Sequence, residues 1–217
     1  MNFALIAAIC LVAATSVLSA PCPSTEIQDC KDNPLEIALV IDGSASIWQN
    51  NFTEGLWFVQ NLVNRFSISP NAVRVSLVTY GDRVYTEDAF DFDTYSDNAG
   101  LKAAIGNVPY RGGNRTETGA AIAYMLDTQL PKARPNVRKV AVVLTDGNSQ
   151  KEQVTKNEAL RARKTGLEVF AIGVGKDISD QELHNIASDS THVFTVIRYN
   201  LLDDILNRLL FEACGGK

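Results

Sequence analysis

Three oxygen-bearing side chains, Asp42, Ser44 and Ser46, stand two residues apart directly after the apolar run of residues 35–41. One carboxylate and two hydroxyls are hard donors of the kind that magnesium, calcium or manganese prefers. The run before them reads as a buried parallel strand. In an open α/β sheet, ligands bind in the loops that leave the carboxyl ends of such strands. Asp and Ser also cap helices, so the stretch alone reads more readily as a capped turn. A metal site needs further oxygens from other loops at the same sheet edge, and two candidates exist. Asp146 ends the apolar run of residues 137–144 as Asp42 ends the first one. Thr116 and Thr118 lie in the glycine-flanked stretch Gly112-Gly113-Asn114-Arg115-Thr116-Glu117-Thr118-Gly119, where glycine lets the backbone pass close to a ligand.

The elements that must position these residues alternate. Helical spacing over residues 51–66 precedes an alternating strand at 73–80 and a short returning strand at 83–86. Residues 88–98 read as loop. A short helix follows at 99–105, then a longer one at 116–130, closed by Pro131 and Pro135. Beyond the strand at 137–144 come an amphipathic helix at 152–164 and a strand at 167–174. A helix at 179–187 has Ser179 and Glu182 spaced as a capping box. An edge strand at 192–196 and a final helix at 201–210 complete the chain. This order predicts a doubly wound α/β fold: a mostly parallel central sheet with one antiparallel edge strand and helices on both faces. Trp48 and Trp57 read as packing residues. Gly173-Val174-Gly175-Lys176 lacks the spacing of a phosphate loop and reads as a tight strand exit.

The chain has 217 residues and a formal net charge of −5. That balance argues against nucleic-acid binding and offers no basic patch to a membrane. Residues 1–20 read as a signal peptide cut after Ser19 or Ala20, residues 21–34 as a short amino-terminal segment, and residues 35–214 as one domain. The leader's apolar stretch, about fifteen residues, is short for a membrane span, and no second one follows. A secreted, extracellular product is expected. Cys10 falls in the leader, leaving Cys22, Cys30 and Cys214. A Cys30–Cys214 bridge would close nearly the whole domain, a loop worth about 5 kcal/mol by chain entropy. Cys22 then either links two chains into a disulfide-bonded oligomer or takes the place of Cys214 opposite Cys30. Two glycosylation triplets occur, at Asn51 and at Asn114; the expected site is Asn51, near a helix start, because the second triplet uses Thr116. No G-x-S-x-G elbow is present, and His184 and His192 fall away from the three loops, so no enzyme is expected.

Taken together, Asp42-Gly43-Ser44-Ala45-Ser46, Thr116-Glu117-Thr118-Gly119 and Leu144-Thr145-Asp146-Gly147 resemble the motifs of the von Willebrand factor type A domain. That domain also occurs in matrilins, non-fibrillar collagens and the inserted domains of integrins. Phe170-Ala171-Ile172-Gly173-Val174-Gly175 agrees as well, and the resemblance runs from about residue 35 to Cys214. It implies a metal-ion-dependent adhesion site. Ser44 and Ser46 would touch the ion, Thr116 would join in the ligand-bound arrangement, and Asp42 and Asp146 would act directly or through water. The extra Arg115 is a departure from many members; the family's T-x-T-G pattern selects Thr116 over Thr118. The implied cofactor is Mg2+, with Ca2+ or Mn2+ as substitutes. The implied partner is an extracellular protein such as collagen or another matrix protein, whose carboxylate completes the ion's shell. The alternative is a structural matrix module that assembles without metal-dependent binding.

Overall fold

A computed structural model of the chain describes residues 33–176 and 178–215. The expected leader, Cys22 and Cys30 lie outside the described residues. Six strands form one sheet: β1 (Leu35–Asp42), β2 (Val73–Tyr80), β3 (Val84–Phe90), β4 (Arg138–Thr145), β5 (Glu168–Val174) and β6 (Val193–Val196). Their order is β3-β2-β1-β4-β5-β6, with β3 antiparallel to β2 and every other pair parallel. The α-helices among the described residues are α1 (Trp48–Val63), α2 (Asn98–Gly106), α3 (Thr118–Tyr124), α4 (Glu152–Lys164), α5 (Asp180–Ile186) and α6 (Asp203–Ala213). Among the described residues no helix is long and apolar enough to cross a membrane.

All eight residues of β1 are buried because the strand is central and covered on both faces. Its side chains alternate between two cores. Ile37, Leu39 and Ile41 pack with Leu56, Val59, Leu101 and Leu209, which come from α1, α2 and α6. Ala38 and Val40 pack with Ile122, Ala162 and Ile186, from α3, α4 and α5. Strand order reverses between β1 and β4, the switch point at which an open α/β sheet leaves a crevice. Asp42 is the last residue of β1, and Asp146 follows the last residue of β4.

The expected doubly wound topology is the observed one; several boundaries differ. α1 begins at Trp48, three residues earlier than the apolar spacing indicates. Its N-cap, Ile47, supplies no side-chain cap, and Trp48 has φ +61°, so no ordinary start signal is present. β3 runs on through residues 88–90, read as loop, because a register shift between Leu77 and Thr79 extends the ladder to Phe90. The helix expected over residues 116–130 is regular only to Tyr124 and continues as a π turn, Met125–Gln129. That turn lets the buried Gln129 amide donate to the carbonyls of Leu77 and Phe90, both at 3.0 Å, where the ladder shifts. Trp48 and Trp57 do not pack in the core: they are 73% and 55% exposed.

Candidate metal centre

The Asp42 carboxylate is 1% exposed and is met by hydroxyl and amide donors. The Ser44 N–H donates to Oδ1 at 2.9 Å, and the Thr145 hydroxyl donates to Oδ2 at 2.7 Å. Burial pushes this carboxyl up to about 7, against the pull of the hydrogen bonds from Thr145 and Ser44. Across the switch point, the Ser46 hydroxyl donates to Asp146 Oδ1 at 3.0 Å and lies 3.1 Å from the Ser44 hydroxyl. Burial raises the Asp146 carboxyl as well, with the Ser46 hydrogen bond opposing. Asp42, Ser44, Ser46 and Asp146 therefore form one contiguous cluster across two loops, and no Lys, Arg or His pairs with either acid among the described residues.

Thr116 is brought to the same edge by its backbone. Residues 112–117 are hydrogen-bonded to the first loop through Ala45 N–H to Gly113 O (2.8 Å) and Gly112 N–H to Gly43 O (3.1 Å). They are bonded to the β2 exit through Glu117 N–H to Gly81 O (2.9 Å), and to the loop after β4 through Gln150 N–H to Thr116 O (3.0 Å). This approach is close enough that a Cβ on Gly113 would lie 2.4 Å from the Asp82 nitrogen, so glycine is required there. The Thr116 hydroxyl makes no hydrogen bond with the described residues, and the side chain is 7% exposed. Thr118, 1% exposed at the start of α3, is sealed beneath. Of the two threonines, Thr116 is the less deeply buried.

A residue that sequence reasoning missed holds the third loop in place. Ser179 caps α5 as its spacing indicates, accepting from the Glu182 N–H at 3.2 Å. The Glu182 carboxylate does not return to Ser179, as a capping box would have it. It accepts from the Ser149 N–H at 2.9 and 3.0 Å, while Asn148 Oδ1 takes the Ser179 N–H at 2.9 Å. The S-x-x-E spacing signalled a cap, but nothing local could signal a contact 33 positions away.

The donor set fits a hard divalent cation. Among the described residues no three His, Cys, Asp or Glu side chains cluster as a metal site, so an ion held here would depend on the hydroxyls of Ser44, Ser46 and Thr116 beside two acids. The Tyr199 hydroxyl is buried and has no hydrogen-bond partner. Its phenol is pushed well up, first by burial and then by the charges of Asp146 and Asp42, and Tyr199 lines one cavity with Ser46 and Asp146. An orphaned buried donor next to two unpaired acids suits a site whose remaining positions are filled by a hydrated ion. His184 lies on α5, bonded to the Asp180 carbonyl. His192 lies between Asp189 and Glu168 near the starts of β4 and β5, with no part in the cluster. Cys214, just past α6, is disulfide-bonded.

Comparison with known proteins gives a consistent picture. The family model of the von Willebrand factor type A domain matches residues 36–208. The human collagen alpha-1(XXI) chain is 35% identical over 85% of this chain and 19% of its own length. Mouse matrilin-2 is 33% identical over 85% of this chain and 20% of its own, and mouse vitrin 37% over 84% and 27%. This chain thus spans about a fifth to a quarter of the length of these three relatives. Among solved structures, proximal thread matrix protein 1 from the mussel byssus superposes with a TM-score of 0.79 at 31% identity, over 84% of this chain and 46% of that one. That structure is described as having a zinc-occupied MIDAS motif.

Proposed function

The chain belongs to the von Willebrand factor type A domain family, and on that premise we propose that it is a secreted matrix or adhesion protein that binds a protein ligand through a divalent cation. The observation that carries the reading is the pair of buried or half-buried acids, Asp42 and Asp146, joined by serine hydroxyls and, among the described residues, paired with no cationic side chain. A buried carboxylate without a countercharge is costly. Mg2+, with Ca2+ or Mn2+ as substitutes, supplies that charge and offers a coordination position to a carboxylate from the partner. Asp42 anchors the first loop through Ser44 N–H and Thr145. Ser44, Ser46 and Thr116 present neutral oxygens, and Glu182 fixes the loop that carries Asp146. Neutral hydroxyls in place of a third acid keep the site from becoming net negative around a divalent ion, which leaves room for an external carboxylate.

The relatives are extracellular matrix proteins, which supports an extracellular location and a matrix protein, collagen first, as the ligand. Among the described residues neither histidine lies at the cluster, which supports binding over turnover. Cys30 is the proposed partner of Cys214, leaving Cys22 for a second chain. Asn51, exposed in the first turn of α1, is the proposed glycan site. The test is capture of the secreted chain on immobilised collagen and on matrix extracts. Binding in Mg2+ that disappears in EDTA and in Asp146→Ala is the expected result. Full binding in EDTA would overturn the cation mechanism and leave a structural module in its place.

A further inference from the structure

From the Ser46–Asp146 pair an open groove of about 730 Å³ runs between α1 and the exits of β5 and β6. It is far roomier than one carboxylate side chain needs. Asn50, Asn51 and Glu54 of α1 form one wall; Lys176 and Arg198 stand on the other. These two cations are exposed and pair with no acid among the described residues. Their backbone is fixed: Gly175, at φ +129°, turns the chain sharply out of β5, and its N–H donates to Val196 O at 2.9 Å. Ile197, 52% exposed, sits beside Arg198 on the same wall. Glu54 and Asp146 are the acids of the lining, and Asp146 is already engaged by Ser46.

We infer that this groove receives an extended acidic segment of the protein partner, with one carboxylate at the ion and a second acidic side chain on Lys176 and Arg198. The inference rests on the cation-dependent reading of the Asp42–Asp146 cluster and adds a partner class to it. Two unpaired cations on one wall of the groove that opens from the ion site complement a peptide with two negative charges, and Ile197 gives its backbone or an apolar neighbour a surface to lie on. Charges at such a rim chiefly select among partners and speed encounter, with a modest gain in affinity.

The experiment is an amide-resolved NMR titration of the chain in Mg2+, with N-glycans trimmed because Asn51 forms part of the α1 wall. The probes are synthetic hexapeptides carrying one glutamate, or that glutamate with a second one two to five positions away. The expected result is that at least one spacing of the two-glutamate peptide binds about fivefold tighter than the one-glutamate peptide at low salt. That advantage should vanish in Lys176→Gln/Arg198→Gln and shrink in 0.5 M NaCl, as screening over about a Debye length requires. One-glutamate binding should be unchanged in the variant. If every spacing binds like the single glutamate, or the variant weakens both peptides equally, the groove inference is overturned while the ion site stands. If no peptide binds in an ion-dependent way, both readings fall together.

Discussion

One strand carries a buried acid at each of its ends, and the two are treated in opposite ways. Near the start of β1, Glu36 is fully buried and receives two guanidinium groups, from Arg74 (Nε to Oε1, 3.0 Å) and Arg134. Close by, Arg138 makes a bidentate pair with Glu168 at 2.8 and 2.6 Å and also donates to the carbonyls of Glu212 and Ala213 at the end of α6. At the other end of β1, Asp42 receives a hydroxyl, a backbone N–H and no cation. Burial is the same; only the compensation differs. The amino end of the sheet is neutralised from within and behaves as structure, whereas the carboxyl end is left short of positive charge, which fits a site that takes its cation from solution.

Variants at the two ends should therefore separate into ion-independent and ion-dependent effects. The largest loss is expected from Arg134→Met, which leaves buried Glu36 with one partner. Breaking such a pair costs about 3–5 kcal/mol, read by urea unfolding and equal with and without EDTA. A loss that Mg2+ repaired would blur the distinction. Asp42→Asn should do the reverse. The wild-type chain gains about 2.7 kcal/mol at an ion concentration a hundred times its dissociation constant, seen as a rise in Tm. The variant should show no such rise and should differ far less in chelator.

Glu168→Gln should cost on the order of 1 kcal/mol at pH 7 after allowance for its partial exposure. The Arg138 hydrogen bond holds the Glu168 carboxyl below its ordinary 4.5. Its contribution is thus present above about 4.5 and is lost as pH falls through the lowered folded value. Wild type and variant should converge in acid, and a gap that persisted there would point to packing instead of charge. The smallest effect concerns the first residue of α1. Trp48 combines φ +61° with ψ 149°, a region that suits glycine, and is 73% exposed. Trp48→Gly should raise stability by under about 1 kcal/mol, strain relief outweighing lost chain stiffness. A clear destabilisation would mean that the indole packs more than its exposure implies.

Much of this contrast was legible in the residues. β1, β2 and α4 follow directly from their apolar patterns, and Asp42, Ser44, Ser46 and Asp146 could be assembled because each stands at or just past the end of an apolar run. What was not legible depends on contacts between distant segments. Glu182 looks like half of a capping box until the third loop folds against it, and Gln129 gives no sign that it will mend a shifted strand ladder. The strained start of α1 at Trp48 carries no capping signature, so local propensity placed the helix too late. The arginine partners of Glu36 lie 38 and 98 positions away, and no spacing rule connects them.

If the reading is right, the carboxyl end of the sheet holds one divalent cation. Calorimetric titration of Mg2+ and of Mn2+ into chelator-stripped wild type, Asp42→Asn and Asp146→Ala tests it directly. One ion per wild-type chain and none in either variant is expected, with all three folded by circular dichroism. Equal stoichiometry and affinity in all three, or no binding to the folded wild type, would contradict it.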